Sequence, residues 1–332
     1  MSRIAPVFFA TLALTAVAEP EPLALVLSGG GAKGAYEVGV WQELQAAGIA
    51  PRVEAISGTS VGAINAALFA AEPDAAERLW LDNMGAVFKL SAKRFGETLQ
   101  KTVDTAAESV RIADETGENW KGIGHFVLSA ALSLADEAVQ TTMTDSEQEG
   151  YIDSSRLAAA LDANIPTNWP AGAPAVYATA VEKSAGKGRA AWRLNGEPPD
   201  RRVLMLRASA AIPIGFDTVR IDGKTYVDGG WDWKGGDNVP IEPILENHPG
   251  VKTAIVVFLD DAEHLSCARR DRVRNAAAEA NVRLVEILPS EDIGGVFGWG
   301  GVFDASPKTA RHLIELGRKD AREKLREAGL AE

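Results

Sequence analysis

Residues 23–34 read L-A-L-V-L-S-G-G-G-A-K-G. Leu23–Leu27 is a short continuous apolar run, the pattern of a parallel strand buried on both faces. Residues 28–34 then form a glycine-rich turn. A helix is predicted next, with Val38, Trp41 and Leu44 on one face and Gly48 as its stop. Residues 53–57 predict a second strand, which ends at Gly58-Thr59-Ser60-Val61-Gly62, and residues 63–71 predict an alanine-rich helix. Strand, glycine turn, helix, strand, tight turn, helix specifies an α/β fold built on a parallel sheet.

Further strands are expected at residues 175–180, 190–194, 218–221, 224–227, 253–259 and 283–288. Asp222-Gly223 is a hairpin signal between the third and fourth of these. A closing helix is expected over residues 308–328, where Glu315/Lys319 and Asp320/Lys324 support it at i,i+4. Residues 85–150 differ in character. They are rich in helix formers, lack proline and hold 6 basic against 11 acidic residues. Ile123, Phe126, Val127, Ala130, Ala131 and Leu134 recur at helical spacing, so this stretch reads as a helical insertion on the α/β core.

The chain has 332 residues, 46% apolar and 24% charged, enough to bury a large core. Its net charge of −12 repels phosphate backbones, and no nucleic acid is expected as a partner. Residues 1–18 carry a basic Arg3, an apolar stretch and then Ala16-Val17-Ala18 before Glu19-Pro20-Glu21-Pro22. This is the pattern of a signal peptide, leaving 19–332 as the mature domain, exported to the periplasm or secreted. Cys267 is the one cysteine, so no internal disulfide forms, and it reads as a buried small apolar residue.

Three segments can carry chemistry. Gly58-Thr59-Ser60-Val61-Gly62 is G-x-S-x-G between a strand and a helix, the setting of a nucleophile elbow, although a structural glycine turn has the same letters. In Gly29-Gly30-Gly31-Ala32-Lys33-Gly34, consecutive glycines can aim several amides at one point, as a developing oxyanion requires. Lys33 adds charge there, although a loop lysine is more often merely solvated. Gly29, Gly31 and Gly34 also satisfy G-x-G-x-x-G, with Glu54 about twenty residues on, which is the dinucleotide fingerprint. Asp228 ends an apolar strand and precedes Gly229-Gly230, so it can enter a site or simply make a turn.

Taken in order, these segments resemble the patatin-like phospholipase family. L-V-L-S-G-G-G-A-K-G is similar to its oxyanion loop, G-T-S-V-G-A-I-N-A to its elbow and Y-V-D-G-G to its aspartate motif. Residues 207–216 (R-A-S-A-A-I-P-I-G-F) match a further family stretch. The resemblance implies a three-layer α/β fold with a central, mainly parallel sheet. It also implies a Ser–Asp dyad without histidine: Ser60 as nucleophile, Asp228 as proton acceptor, and amides of Gly29, Gly30 and Gly31 as the oxyanion hole. Gly34, Gly58, Gly62, Gly229 and Gly230 complete the motifs.

The expected activity is therefore hydrolysis of carboxylic esters in lipids or phospholipids, with no metal or organic cofactor and with transient contact at a membrane or micelle surface. His125, His248, His264 and His312 all fall outside the motif segments. Two other readings compete: a dinucleotide-binding oxidoreductase using Gly29, Gly31, Gly34 and Glu54, and a non-catalytic lipid-binding relative. One departure from the family stands out. Residues 231–237, with Trp231 and Trp233, intervene before Asn238-Val239-Pro240, where the family reaches Asn-x-Pro sooner.

Overall fold

Leu23, Leu25 and Leu27 of strand β1 (Leu23–Leu27) join one buried apolar cluster, while Ala24 and Val26 join a second on the opposite face. That alternation is possible because β1 lies inside a parallel sheet covered on both sides. The computed structural model describes residues 21–88, 152–183, 188–213, 215–231, 235–294 and 304–331. The expected signal peptide, nearly all of the expected insertion with its apolar stripe, His125 and Trp233 lie outside the described residues.

The fold is a mixed, mainly parallel sheet between helical layers. β1 pairs in parallel with β2 (Val53–Thr59) on one side and β7 (Thr253–Val257) on the other, and β7 pairs in parallel with β8 (Arg283–Ile287). On one face, α1 (Ala35–Ala46) packs against α8 (Pro307–Glu327), and α2 (Val61–Ala71) leads into α3 (Pro73–Arg78). α4 (Ser154–Asn164) and α5 (Pro199–Ser209) complete that layer. On the opposite face lie α6 (Glu242–Asn247) and α7 (Cys267–Glu279), which contribute Ile244, Val273 and Ala277 to the second cluster.

The other half of the sheet is antiparallel, and it decides where the site falls. β3 (Ala175–Glu182) runs parallel to β2 over residues 175–179, with Thr59 opposite Thr179. β4 (Gly188–Arg193) occupies one edge of β3 from Tyr177 to Glu182. β6 (Lys224–Asp228) pairs antiparallel with Ala180, Val181 and Glu182, so it must use the edge that β2 has just left. β2 and β6 thus meet end to end along β3. Thr59 and Asp228 sit opposite consecutive residues, Thr179 and Ala180. β5 (Val219–Ile221) reaches β6 through Asp222 (φ 50°) and Gly223 (φ 81°), both left-handed as a tight hairpin requires.

The expected strands and closing helix are present within one or two residues at most ends. Cys267 departs from expectation, because it is exposed. It opens α7, and the inward face of that helix begins only at Val273.

Candidate active site

Ser60 stands between β2 and α2 with φ 56° and ψ −125°, a left-handed backbone that L-residues avoid. Such strain costs on the order of 1–3 kcal/mol and persists only where surrounding bonds enforce it. Here the Ser60 amide donates to Ser209 Oγ at 2.9 Å, and Ser60 O accepts the Ala63 amide at 3.0 Å. The two motif glycines give the turn its room. A Cβ on Gly62 would stand 2.7 Å from Leu27 O and Ser28 O, and one on Gly58 would strike the Gly62 carbonyl group. The elbow motif is therefore a packing requirement as well as a chemical one.

Asp228 ends β6 with its carboxyl buried. Its backbone and that of Gly229 are tied to the same segment that holds Ser60: Asp228 N donates to Ala211 O at 2.9 Å, and Gly229 N to Ser209 O at 3.2 Å. Ser209 therefore bridges the two motifs, with its hydroxyl on Ser60 and its carbonyl on Gly229. Desolvation raises the Asp228 pKa from 3.8 to about 6, against the opposing pull of the Ser60 hydroxyl and the Gly230 amide. Oδ1 accepts that amide at 2.8 Å, whereas Oδ2 is buried without a hydrogen-bond partner. The Ser60 hydroxyl thus neighbours the carboxyl without closing a well-formed hydrogen bond to it.

The glycine loop closes the third side. Gly31 has φ 58° and opens a single 3-10 turn, Gly31–Gly34, before α1. The Gly29 amide is committed, donating to Asn238 O at 3.0 Å, while Asn238 Nδ2 returns a 3.0 Å bond to Gly29 O. Among the described residues, no carbonyl takes the amides of Gly30 and Gly31. Lys33 is buried rather than solvated, and its Nζ pairs with Asp260 Oδ1 at 2.7 Å.

Ser60 borders two recesses. A cleft of about 230 Å³ is bordered by Gly30, Lys33, Asp228, Trp231, Asp260 and Arg269. The other is a narrow apolar slot of about 10 Å³, lined by Ile64, Met84, Val87, Phe88, Leu157 and Phe216. Ile212 and Gly31 face both. Phe88 and Phe216 meet edge to face at the slot, with centroids 6.0 Å apart.

The long loop after Asp228 leaves this geometry intact, because it is pinched at its base. Gly236 N donates to Trp231 O at 3.1 Å, and Asp237 N to Gly229 O at 2.6 Å. Asn238 consequently reaches Gly29 despite the intervening residues. The described histidines are occupied elsewhere: His248 with Glu54 and Tyr177, His264 with Asp261, His312 with Glu291. Glu54 lies at the start of β2, at the opposite end of the strand from the glycine loop. The acidic residue of a dinucleotide site belongs at the other end, so the fingerprint reading fails.

Residues 25–245 match the family model described as patatin-like phospholipase. The chain belongs to that family. Over 50 residues it is 52% identical to lysophospholipase nte1 of Aspergillus terreus, a stretch covering 15% of this chain and 3% of that protein. Among solved structures it is similar to VipD from Legionella pneumophila, at 16% identity and a TM-score of 0.46, over 93% of this chain and 67% of the other. It is also similar to ExoU from Pseudomonas aeruginosa in its complex with SpcU, at 17% identity and a TM-score of 0.40, over 93% of this chain and 53% of that one. The chain thus spans about half of ExoU and a small fraction of the fungal lysophospholipase.

The sequence singles out Ser60, Asp228 and the glycine loop, and the fold brings all three to one cleft. The fold adds Ser209, Ile212, Asn238, Asp260 and Arg269 to the site. Ser209 and Ile212 lie in the 207–216 stretch that carries the family resemblance, which was the available signal for them. Nothing in the sequence marked Asp260 or Arg269.

Proposed function

We propose that this protein is a lipid acyl hydrolase that cleaves carboxylic ester bonds through a Ser60–Asp228 dyad. The observation that carries the reading is the meeting of β2 and β6 along β3, which sets a strained serine beside a buried carboxyl with one unpartnered oxygen. In the first step Ser60 Oγ attacks the ester carbonyl carbon, and its proton passes to Asp228 Oδ2. A carboxylate whose pKa is raised toward 6 is a better base than an ordinary aspartate and is still ionised at neutral pH. The Gly30 and Gly31 amides stabilise the tetrahedral oxyanion, and Gly29 contributes by anchoring them to Asn238. Collapse expels the alcohol, which takes the proton from Asp228. Water then gives a proton to Asp228 as it attacks the acyl-Ser60 ester; collapse of this second intermediate returns that proton from Asp228 to Ser60 Oγ, and the acid leaves.

The two recesses suit the two halves of a lipid ester. The apolar slot receives the acyl chain once Phe88 and Phe216 part, and the larger cleft, bordered by Lys33, Asp260 and Arg269, takes the alcohol side. The substrate is a lipid or phospholipid, met in transient contact with a membrane or micelle surface. We further infer export through residues 1–18. The deciding experiment is reaction with a fluorophosphonate ester followed by peptide mapping. One phosphonyl adduct on Ser60, absent in Asp228→Asn, supports the reading. An unlabelled wild-type protein rejects it in favour of a non-catalytic lipid binder.

A further inference from the structure

Asp237, Asn238 and Val239 form one short segment that touches all three catalytic pieces. Thr59, directly before the nucleophile, donates its hydroxyl to Asp237 O at 2.6 Å. Asp237 N holds Gly229 O, beside the catalytic aspartate, and Asn238 brackets Gly29 through two hydrogen bonds. Whatever fixes this segment therefore fixes the mutual placement of nucleophile, base and oxyanion donors.

What fixes it is an ion-pair network outside every motif of the chain. The Asp237 side chain is 2% exposed, and Arg272 of α7 grips both of its oxygens, Nη2 on Oδ1 and Nη1 on Oδ2. The same Nη2 donates to Val239 O at 3.0 Å. Arg189 of β4 reaches Oδ2 at 2.9 Å, and the Val239 amide reaches Oδ1 at 3.0 Å. Glu242, at the start of α6, balances the second cation, accepting Arg272 at 2.6 Å and Arg189 at 3.4 Å. A planar guanidinium can satisfy two carboxylate oxygens and a carbonyl together, whereas an ammonium on a flexible stem cannot hold the same geometry. The neighbouring arginines of α7 have a different task. Arg270 and Arg274 both pair with Glu286 on β8, away from the catalytic loops.

We propose that Arg272 is a positioning residue for hydrolysis, which acts through Asp237 and Asn238 to hold the Gly30 and Gly31 amides at the oxyanion. The inference rests on Ser60 being the nucleophile. Oxyanion donors act by preorganisation, and a small displacement of them raises the barrier without weakening substrate binding. Losing Arg272 removes the donor to both Asp237 oxygens and to Val239 O, so the segment loses the contacts that fix its place. Asn238 follows, because it is the next residue. Gly29 follows Asn238.

The test measures kcat and KM on a soluble acyl ester, the Ser60 phosphonylation rate and Tm in the full chain. The variants are Arg272→Ala, Arg272→Lys and, as a control on the same helix, Arg274→Ala. The expected result is a fall in kcat on the order of 10- to 100-fold for Arg272→Ala, with KM within about twofold and a parallel fall in phosphonylation rate. Arg272→Lys should lie between that variant and wild type, and Arg274→Ala should match wild type. A folded Arg272→Ala protein with wild-type kcat overturns the proposal, as does an equal loss in Arg274→Ala. Should Arg272→Ala not fold, Arg272→Lys decides: a several-fold fall in kcat at constant KM supports the role, and wild-type kcat overturns it. Failure of the underlying reading looks different, because wild-type protein would then take no phosphonate on Ser60 at all.

Discussion

Gly29 and Asn238 exchange two hydrogen bonds, Gly29 N to Asn238 O and Asn238 Nδ2 to Gly29 O, each 3.0 Å long. They lie 209 residues apart, on the glycine loop and on the segment that follows Asp228. The bracket commits the Gly29 amide, so the proposed oxyanion donors are those of Gly30 and Gly31.

Asn238→Ala removes the side-chain half of that bracket and lets the loop drift. We expect kcat to fall on the order of 10-fold, with KM little changed, in a protein that still folds. Gly29→Ala should be at least as damaging, because its Cβ would strike Asn238 Oδ1. Steady-state kinetics on a soluble ester checks both.

Ser60→Ala and Asp228→Asn should each lower kcat on the order of 10³-fold or more. Single replacement of His125, His248, His264 or His312 by Gln should leave most of the activity. The three described histidines already have partners remote from Ser60. Loss of activity in a correctly folded histidine variant would falsify the dyad.

The pH profile follows from Asp228. The base must be ionised, so kcat/KM should rise as pH climbs through about 6 and then level off. Stability should show the opposite trend at this residue. Its folded pKa lies above the unfolded one, so folding favours the protonated form. That contribution is fully present below about 4 and lost as pH rises through about 6. Asp228→Asn should accordingly be inactive yet more stable than wild type at pH 8, by at most about 3 kcal/mol, with little gain at pH 4. Denaturant melts at the two pH values measure the difference.

Phe216→Ala should open the apolar slot and shift kcat/KM toward longer acyl chains. The ring closes the slot against Phe88, and its removal creates room where none exists for more than about one water. A series of esters of increasing acyl length checks this. An unchanged chain-length profile would show that the acyl group lies elsewhere.

Export should leave a mature chain beginning at or near Glu19. N-terminal sequencing of exported protein reads this directly, and a product retaining Met1 or Ser2 would contradict it.

The local patterns of this chain specify a great deal. The continuous apolar run at Leu23–Leu27, the two glycine turns and the hairpin at Asp222-Gly223 each encode a backbone shape, because few residue types tolerate those dihedrals or those close approaches. They also placed Ser60 on an elbow and Asp228 at a strand end. Tertiary structure decided what those positions do together. No periodicity reveals that β2 leaves β3 at Thr179 and that β6 takes over at Ala180, because edge sharing depends on which strands compete for one ladder. It is this handover that sets Asp228 beside Ser60. The burial of Lys33 against Asp260, the bridge made by Ser209 and the grip of Arg272 on Asp237 were equally invisible, since a charged or polar side chain reads as solvated until its distant partner is known. The sequence determined the turns and the chemistry they offer. Long-range pairing determined the site, because contacts such as Ser60 N to Ser209 Oγ and Lys33 Nζ to Asp260, 149 and 227 residues apart, exist only once the sheet has closed.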